Sequence, residues 1–408
     1  MTQAATPLLE PREGVPTVVA DPAALARTIT AFAAGGGPVA VDAERASGYR
    51  YSHRAYLVQL RRAGAGTALI DPIACPDLSG LGAALADTEW VFHAAGQDLP
   101  CLAEIGMRPS RLFDTELAGR LLGYPRVGLS PLTETVLGYS LEKVHSAVDW
   151  STRPLPADWL RYAALDVELL LELRDALEAE LRHTGKLDWA REEFDALLNA
   201  PVAGRRADPW RRTSGLHRIR DRRRLAAVRE LWSTRDALAS SRDIAPRRVL
   251  PDAAIIDAAL AMPTTVTELV DLPVFRGRAQ RREAQRWFAA ITRAREIPED
   301  ALPPLTARYD GPPPARSWAA RDSAAATRLA AARTAVGEIA ERHGVPVENL
   351  LAPETLRRVT WTPPEPLTTE TVDAALRSHG ARDWQVRLTA DAVARALQAD
   401  GQEPEGAG

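Results

Sequence analysis

The hydrophobic patterning of the chain changes abruptly near residue 200, and this change limits the possible folds more than any other feature. Before it, short apolar runs alternate with helical patterns, which is typical of an α/β domain. The expected strands are GPVAVDAE (37–44), AYLVQLRR (55–62), TALIDP (67–72) and WVFHAA (90–95). The expected helices lie near 97–105, 115–123, 130–137, 157–182 and 188–199. Because only a Gly-Ala-Gly turn separates the second and third strands, we expect a hairpin, and therefore a mixed sheet flanked by helices.

After residue 200 the strand signals disappear, and Pro-rich segments separate two helical regions. A chain of 408 residues is also too long for a single hydrophobic core. The sequence therefore predicts an N-terminal α/β domain followed by two all-α helical-bundle domains. The predicted limits are 1–204 for the α/β domain, 212–295 for the first helical domain, 296–317 for a linker and 318–400 for the second helical domain.

The two helical regions are similar to each other. RLAAVRELWSTRDALASSRDIAPRRVLPDAAI (224–255) and RLAAARTAVGEIAERHGVPVENLLAPETL (328–356) share their opening, and each continues through a proline turn, at Pro246 and Pro346. Chance similarity between two Ala/Arg-rich helices is the alternative. The matched prolines favour a duplicated unit of about 80 residues.

Residue usage excludes several classes of protein. Lysine occurs only at 143 and 186, and neither lysine completes the G-x-x-x-x-G-K-[ST] motif of a P-loop nucleotide hydrolase. The two cysteines, Cys75 and Cys101, cannot form a four-cysteine zinc site or a disulfide framework. No apolar run is long enough to cross a membrane, and the N-terminal residues do not form a signal-peptide pattern. We therefore expect a cytoplasmic location without membrane contact.

Four acidic residues and one tyrosine occur where their side chains can meet. Asp42 and Glu44 are two residues apart on an expected strand, so they leave the same face of the sheet. Asp98 follows another strand, in the first turn of a helix, and Tyr162 lies one helical turn before Asp166. Taken singly, these acids could mark a solvated strand end or a helix start favoured by the helix dipole. Together they suggest a site that a divalent cation neutralises.

The motifs DAE (42–44), HAAGQDL (93–99) and YAALD (162–166) resemble those of the DEDD 3′–5′ exonucleases, and most closely the ribonuclease D family. A tyrosine four residues before the last acid is typical of the tyrosine subtype. The helical regions resemble HRDC domains, and two of them in tandem match the ribonuclease D arrangement. Ala43 and Arg45 depart from the family, which often has threonine and an aromatic residue there.

The resemblance implies a ribonuclease H-like mixed sheet and two divalent cations, Mg²⁺ or Mn²⁺. It implies that Asp42 bridges both cations, that Glu44 and Asp166 complete the shell of the first, and that Asp98 holds the second. Tyr162 would orient the attacking water, since a phenol is a poor base at neutral pH. The absence of a Cys/His cluster in the sequence argues against zinc.

Other polar residues near these motifs have two interpretations. His93 is expected to be a packed histidine rather than a metal ligand, and Asp114 is expected to cap the following helix. The segment LEKVHSAVDWSTRPLP (141–156) is either a solvated loop or an RNA-contacting loop.

Basic residues concentrate in the first helical region. Residues 205–248 contain 14 arginines and five acids, although the whole chain has a net charge of −3, and residues 276–287 add five arginines and one acid. A solvated surface is the alternative, but this excess favours RNA binding. The predicted RNA-contacting residues are Lys143, His145, Arg153, Arg211, Arg212, Arg222, Arg223, Arg276 and Arg278.

The sequence predicts a metal-dependent 3′–5′ exoribonuclease that acts on RNA with an accessible 3′ end, such as tRNA precursors. It does not indicate the oligomeric state, and a monomer is assumed. One alternative is the same chemistry on DNA, because RNA is distinguished from DNA through the 2′-hydroxyl and no motif reports that contact. A second alternative is a non-catalytic RNA-binding protein on a decayed nuclease fold. A third is a helicase accessory module.

Overall fold

The computed structural model of the protein describes residues 5–141, 147–201, 204, 206–306 and 311–398. A five-stranded mixed sheet forms the centre of the N-terminal α/β unit (residues 5–201), in the order β4-β3-β2-β5-β6. Strand β3 pairs antiparallel with both β2 and β4, whereas β2, β5 and β6 are parallel. The strands are β1 Thr6–Leu8, β2 Gly36–Arg45, β3 Ala55–Ala63, β4 Gly66–Ile70, β5 Glu89–Phe92, β6 Arg111–Asp114 and β7 Tyr139–Leu141.

Helices cover the sheet and form the rest of the described chain. Among the described helices, none is both long enough and apolar enough to cross a bilayer. The α/β unit contains α1 Pro22–Ala34, α2 Ser79–Ala84, α3 Asp98–Glu104, α4 Thr115–Leu121, α5 Leu129–Leu137, α6 Ala157–Glu168, α7 Leu170–His183 and α8 Leu187–Leu198. The first helical unit (206–306) contains α9 Arg222–Arg242, α10 Pro246–Val249, α11 Asp252–Ala261, α12 Val266–Asp271, α13 Arg278–Arg282 and α14 Ala284–Glu296. The second helical unit (311–398) contains α15 Trp318–Arg321, α16 Ser323–His343, α17 Val347–Leu350, α18 Pro353–Trp361, α19 Thr369–Ser378 and α20 Asp383–Gln398.

The predicted mixed sheet and its hairpin are confirmed. Strands β3 and β4 pair antiparallel through a tight turn in which Gly64 and Gly66 have φ of 80° and 75°. Residues with a side chain rarely adopt this conformation, which explains the glycines. Strand β6 and the small parallel pair of β1 with β7 were not predicted, because each is only three or four residues long.

The single helix expected at 157–182 is wrong, because the chain leaves the helical conformation at Leu169, where φ is −107° and ψ is 1°. The break divides the segment into α6, which packs on β2, β3 and β4, and α7, which packs mainly on α4 and α5. Leu169 and Leu170 are both 1% exposed, so the break itself lies in the core. A leucine-rich pattern continues across it, which is why the sequence did not reveal it.

The two helical units share a plan at their start. Each contains a 21-residue helix, α9 or α16, whose N-cap aspartate, Asp221 or Asp322, accepts a hydrogen bond from the backbone N–H three residues later. Each long helix ends at a left-handed residue, Asp243 or Gly344, and a four-residue helix follows. The Pro-rich segment at the end of the first helical unit is packed: Leu302 is 4% exposed, and arginines of the same unit bind carbonyl groups of residues 294–305.

Both helical units contact the α/β unit, at different places. The first holds the loop that follows β2: the Ser52 N–H donates to the Asp243 carboxylate at 2.8 Å, and the Ala245 N–H donates to the Tyr49 carbonyl at 2.9 Å. The second docks on α8, where Trp384 stacks on Trp189 with ring centroids 4.9 Å apart. Three polypeptide segments distant in sequence are thereby joined into one structure.

The Trp384 contact predicts that docking supports the second helical unit. Trp384 is fully buried, and its indole N–H donates to Glu193 at 3.0 Å. Trp384→Ala should therefore destabilise the protein by about 3–5 kcal/mol. Differential scanning calorimetry should show a lower transition temperature. Arg395→Ala, at a side chain that is 72% exposed, serves as control and should change little. Equal transitions for wild type and Trp384→Ala would contradict this role.

Candidate active site

The site lies at the end of β2, where the sheet changes from antiparallel to parallel pairing. Asp42 and Glu44 alternate with the buried residues Val41 and Ala43, so both acids leave one face of the strand. Strand β5 is parallel to β2, so the helix that follows β5 begins at the same edge of the sheet. Crevices at such edges are common binding sites in α/β proteins.

Helix α6 brings Asp166 and Tyr162 to this edge. The Tyr162 hydroxyl bonds to the Asp166 carboxylate one turn away, and the buried Trp150 ring lies 6.5 Å from the phenol ring. Packing against Trp150 limits the positions that the phenol can take. The predicted pairing of a phenol and a carboxylate on one helix face is therefore what the structure contains.

Three of the predicted acids converge. Ligand oxygens of Asp42, Glu44 and Asp166 all lie within 4.8 Å of one another. They line a cavity of about 240 Å³ together with Tyr162 and Asp98. Oxygen donors at this spacing are the ligands that Mg²⁺ and Mn²⁺ prefer.

Asp98 also lines the cavity, lies at the start of α3 and is 5% exposed. Its carboxylate accepts a hydrogen bond from the Arg45 guanidinium. The sequence marked Arg45 as a departure from the family but gave no sign of this ion pair. The sequence also gave no sign that Gln97, Leu129 and Leu170 line the cavity.

Burial and mutual repulsion work against ionisation of these acids. Burial raises the pKa of Asp42, and burial followed by the charge of Asp42 raises the pKa of Glu44 and of Asp166 well above their usual range. Burial and the charge of Asp42 also raise the pKa of Asp98 to about 7, although Arg45 opposes the rise. A divalent cation would remove this repulsion, so the residues fit such an ion.

The environment of Tyr162 favours its neutral form. Burial, followed by the charge of Asp166, raises the pKa of this phenol above its ordinary value of about 10. A phenol of this kind is not a base at neutral pH. It remains a hydrogen-bond donor and acceptor that can orient a water molecule.

Asp114 and His93 stabilise the segments that surround the site. The Asp114 carboxylate accepts hydrogen bonds from the N–H groups of Glu116 and Leu117 at the start of α4. It also accepts from Ala94 and Ala95 at 3.2 and 2.8 Å, which fixes the turn that leads to Asp98. His93 lines the cavity, and its Nδ1 lies 2.9 Å from the Thr115 hydroxyl, consistent with a packed histidine.

The predicted RNA-contacting residues fall into three groups. Lys143 and His145 lie outside the described residues. Four arginines use their donors within the protein, so the structure does not support the expected phosphate contacts: Arg153, Arg211, Arg222 and Arg223. Arg153, for example, binds both oxygens of Asp71 at 2.8 Å and the carbonyls of Tyr56, Trp150 and Thr152. Three are exposed: Arg212, Arg276 and Arg278.

Each of the three units matches a known protein family. Residues 16–182 match a family of 3′–5′ exonucleases, residues 224–291 match HRDC domains, and residues 311–397 match a 3′ to 5′ exonuclease C-terminal domain. The chain is 33% identical over 330 residues to a ribonuclease D of Granulibacter bethesdensis, which covers 79% of this chain and 80% of the relative. It is 31% identical over 286 residues to the Escherichia coli ribonuclease D, covering 69% of this chain and 74% of the relative.

Two solved structures are similar over almost the whole chain. A protein from Bifidobacterium adolescentis aligns with a TM-score of 0.89 and 41% identity, over 97% of this chain and all of that one. The Escherichia coli RNase D, described as an exoribonuclease involved in structured RNA processing, aligns with a TM-score of 0.68 and 27% identity, over 94% of this chain and 98% of that one.

The raised pKa of Glu44 predicts a stability effect. Its folded-state pKa lies above the unfolded value, so its favourable contribution is present only at low pH and is lost as pH rises through the folded pKa. Glu44→Gln should therefore raise the melting temperature of the metal-free protein at pH about 8. The expected rise is about 2–4 °C for each kcal/mol of unfavourable free energy that the substitution removes. This gain should vanish as pH falls towards about 5, where the wild-type carboxyl is protonated.

Added Mn²⁺ should make the wild type melt at a higher temperature than Glu44→Gln, because the wild type has the full set of metal ligands and the variant does not. The exposed Glu104 provides the control, and Glu104→Gln should melt like the wild type with and without Mn²⁺. Melting curves that are identical for wild type and Glu44→Gln at pH about 8 would show that the acids are not under repulsion.

Proposed function

Because the chain belongs to the ribonuclease D family and is a 3′–5′ exoribonuclease, we propose that its acidic cavity carries this reaction with two divalent cations. The observation that carries the proposal is the convergence of three carboxylates within 4.8 Å, with a tyrosine one helical turn from one of them. The proposed catalytic residues are Asp42, Glu44, Asp98, Tyr162 and Asp166. In the reaction, a water oxygen bonds to the phosphorus of the terminal phosphodiester while the bond to the 3′ oxygen of the preceding nucleotide breaks.

The residues that line the cavity would have different roles. Asp42, Glu44 and Asp166 would hold the first cation, and Asp98 would hold the second together with Asp42. When bound, Mg²⁺ or Mn²⁺ would lower the pKa of the attacking water and neutralise the phosphate oxygens. Tyr162, anchored by Asp166 and Trp150, would orient that water. Leu129, which is half-buried, gives the cavity an apolar surface that can contact the terminal nucleoside.

We infer that the substrate is RNA with a single-stranded 3′ end, including tRNA precursors. The relative from Escherichia coli, which processes structured RNA, supports this inference. A DNA exonuclease remains the nearest alternative, and a DNA strand of identical sequence assayed beside the RNA decides the sugar preference. A non-catalytic RNA-binding role predicts binding without shortening of either strand.

The exposed arginines would guide the RNA towards the cavity. A second cavity, of about 470 Å³, lies between the loop after β2 and the first helical unit, and its lining includes Arg212, Arg247 and Trp232. Arginines bind phosphates, and an indole ring provides a surface for base stacking. Arg276 and Arg278 extend the basic surface at the start of α13.

We propose that the second helical unit is a further HRDC copy, in line with the predicted domain limits of 1–204, 212–295 and 318–400. The matched long helices, aspartate caps and four-residue helices support this proposal. Because Cys75 and Cys101 are buried free thiols, we also propose a reducing, cytoplasmic location. A monomer is the proposed state.

The catalytic assignment predicts that single substitutions stop RNA shortening. Asp42→Asn should lower the rate at least about 100-fold, since metal ligation supplies several kcal/mol of transition-state stabilisation. Tyr162→Phe should lower it about 10- to 100-fold by removing the hydroxyl that orients water. The assay follows a 5′-labelled RNA with a short 3′ tail in Mg²⁺ or Mn²⁺, and EDTA should abolish the ladder.

Asp188→Asn, at an exposed acid on α8, is the matched control and should shorten RNA at the wild-type rate. Full activity of Asp42→Asn would refute the assignment. Binding without shortening by the wild type would favour the non-catalytic alternative.

The basic surface predicts a change in salt dependence. Arg276→Gln combined with Arg278→Gln should weaken RNA binding and reduce the slope of log K against log[salt] by about one to two, because each arginine that binds a phosphate contributes about one to this slope. Fluorescence anisotropy at several salt concentrations measures the slope. Arg395→Gln, an exposed arginine of the second helical unit, is the control and should leave the slope unchanged. An unchanged slope in the double variant would place the RNA elsewhere.

A further inference from the structure

Arg45 is the last residue of β2, and the strand pairing is irregular at this point. Glu44 pairs with Leu57, whereas Arg45 pairs with Ala55, so one residue of β3 is skipped. Strict alternation would send the Arg45 side chain to the face opposite Glu44. Arg45 nevertheless lines the same cavity as Glu44, at the point where the pairing with β3 is irregular.

Three acceptors hold the Arg45 guanidinium. One terminal nitrogen donates to the Gln97 carbonyl oxygen at 3.0 Å and to the Asp98 carboxylate, and the other donates to Gln97 Oε1 at 3.1 Å. The side chain is only 19% exposed. The guanidinium is therefore a fixed positive charge on the side of the cavity where Asp98 lies.

This ion pair distinguishes Asp98 from the other three acids that line the cavity. Asp42, Glu44 and Asp166 form a cluster of oxygens that a cation can join directly. Asp98 is already paired with Arg45. A divalent cation at Asp98 would stand next to a guanidinium, and the repulsion between like charges in a partly buried site is strong. Either Arg45 must leave Asp98 or the cation must stay unbound, unless a further negative charge enters the site.

We propose that Arg45 competes with the second divalent cation for Asp98, so that the free protein binds one cation tightly and a second one much more weakly. This proposal rests on the two-cation function proposed above. The phosphate of a bound RNA is the negative charge that allows both positive groups to remain, because guanidinium groups bind phosphate oxygens well. Arg45 is thus a positioning residue that makes occupation of the second cation site depend on substrate.

The test is a titration of the full-length protein with Mn²⁺ in the absence of RNA, with free Mn²⁺ measured by electron paramagnetic resonance. The wild type should bind one ion tightly and a second at least about tenfold more weakly. In Arg45→Met the affinity for the second ion should rise about 10- to 100-fold, while that for the first stays within about twofold. Arg45→Gln should give the same rise, because it also loses the charge, and Arg45→Lys should behave like the wild type.

Two further variants complete the experiment. Asp98→Asn should remove the second binding event without changing the first, and Arg108→Met, at an exposed arginine, should match the wild type. Equal affinity of the wild type for two Mn²⁺ ions, or an unchanged second constant in Arg45→Met and Arg45→Gln, would overturn the proposal. Failure of the two-cation function would look different: the wild type would bind no Mn²⁺ tightly, or Asp42→Asn would bind it equally well.

Discussion

Buried carboxylates at the end of β2 repel one another, and the surrounding elements must hold them together. Asp42, Glu44 and Asp166 would separate if they were free to do so, because burial and mutual charge both oppose their ionisation. They are held by elements whose stability comes from elsewhere: the apolar sheet and helix α6, packed on β2, β3 and β4. A functional site of this kind is a local cost in stability that the surrounding core offsets.

The same strand end also supplies the charge that balances one of the acids. Arg45 directly follows Glu44 in β2, yet its side chain lines the same cavity, at the point where the pairing with β3 is irregular. Asp98 benefits most, because the guanidinium donates to its carboxylate. The charge of Arg45 also opposes the rise in the pKa of Asp42 and of Glu44. Asp98 therefore differs from Asp42, Glu44 and Asp166, because a guanidinium donates to its carboxylate whereas the other three form a cluster of oxygens.

The sequence predicted those parts that depend on spacing within one element. The two-residue spacing of Asp42 and Glu44, and the four-residue spacing of Tyr162 and Asp166, fix their directions whatever the rest of the chain does. The fold class followed from the change in periodicity near residue 200. The break at Leu169 and the Arg45–Asp98 pair were missed, because both depend on contacts between elements distant in sequence. Local patterns carry no information about such contacts.

The arginines also show that local sequence patterns do not reveal contacts between elements distant in sequence. Charge counting predicted a phosphate-binding surface wherever arginines cluster, yet Arg211, Arg222 and Arg223 bind carbonyl oxygens of residues 294–305 and fasten that segment to the first helical unit. What decides the role of an arginine is which acceptors lie within reach of its donors. By this criterion the proposed RNA path is narrower than the excess of arginines over acids suggests. The proposed path follows the loop after β2, in which the Ser52 N–H donates to Asp243 of the first helical unit. The loop is thus positioned jointly by the strand that carries the acids and by the unit that carries the exposed arginines.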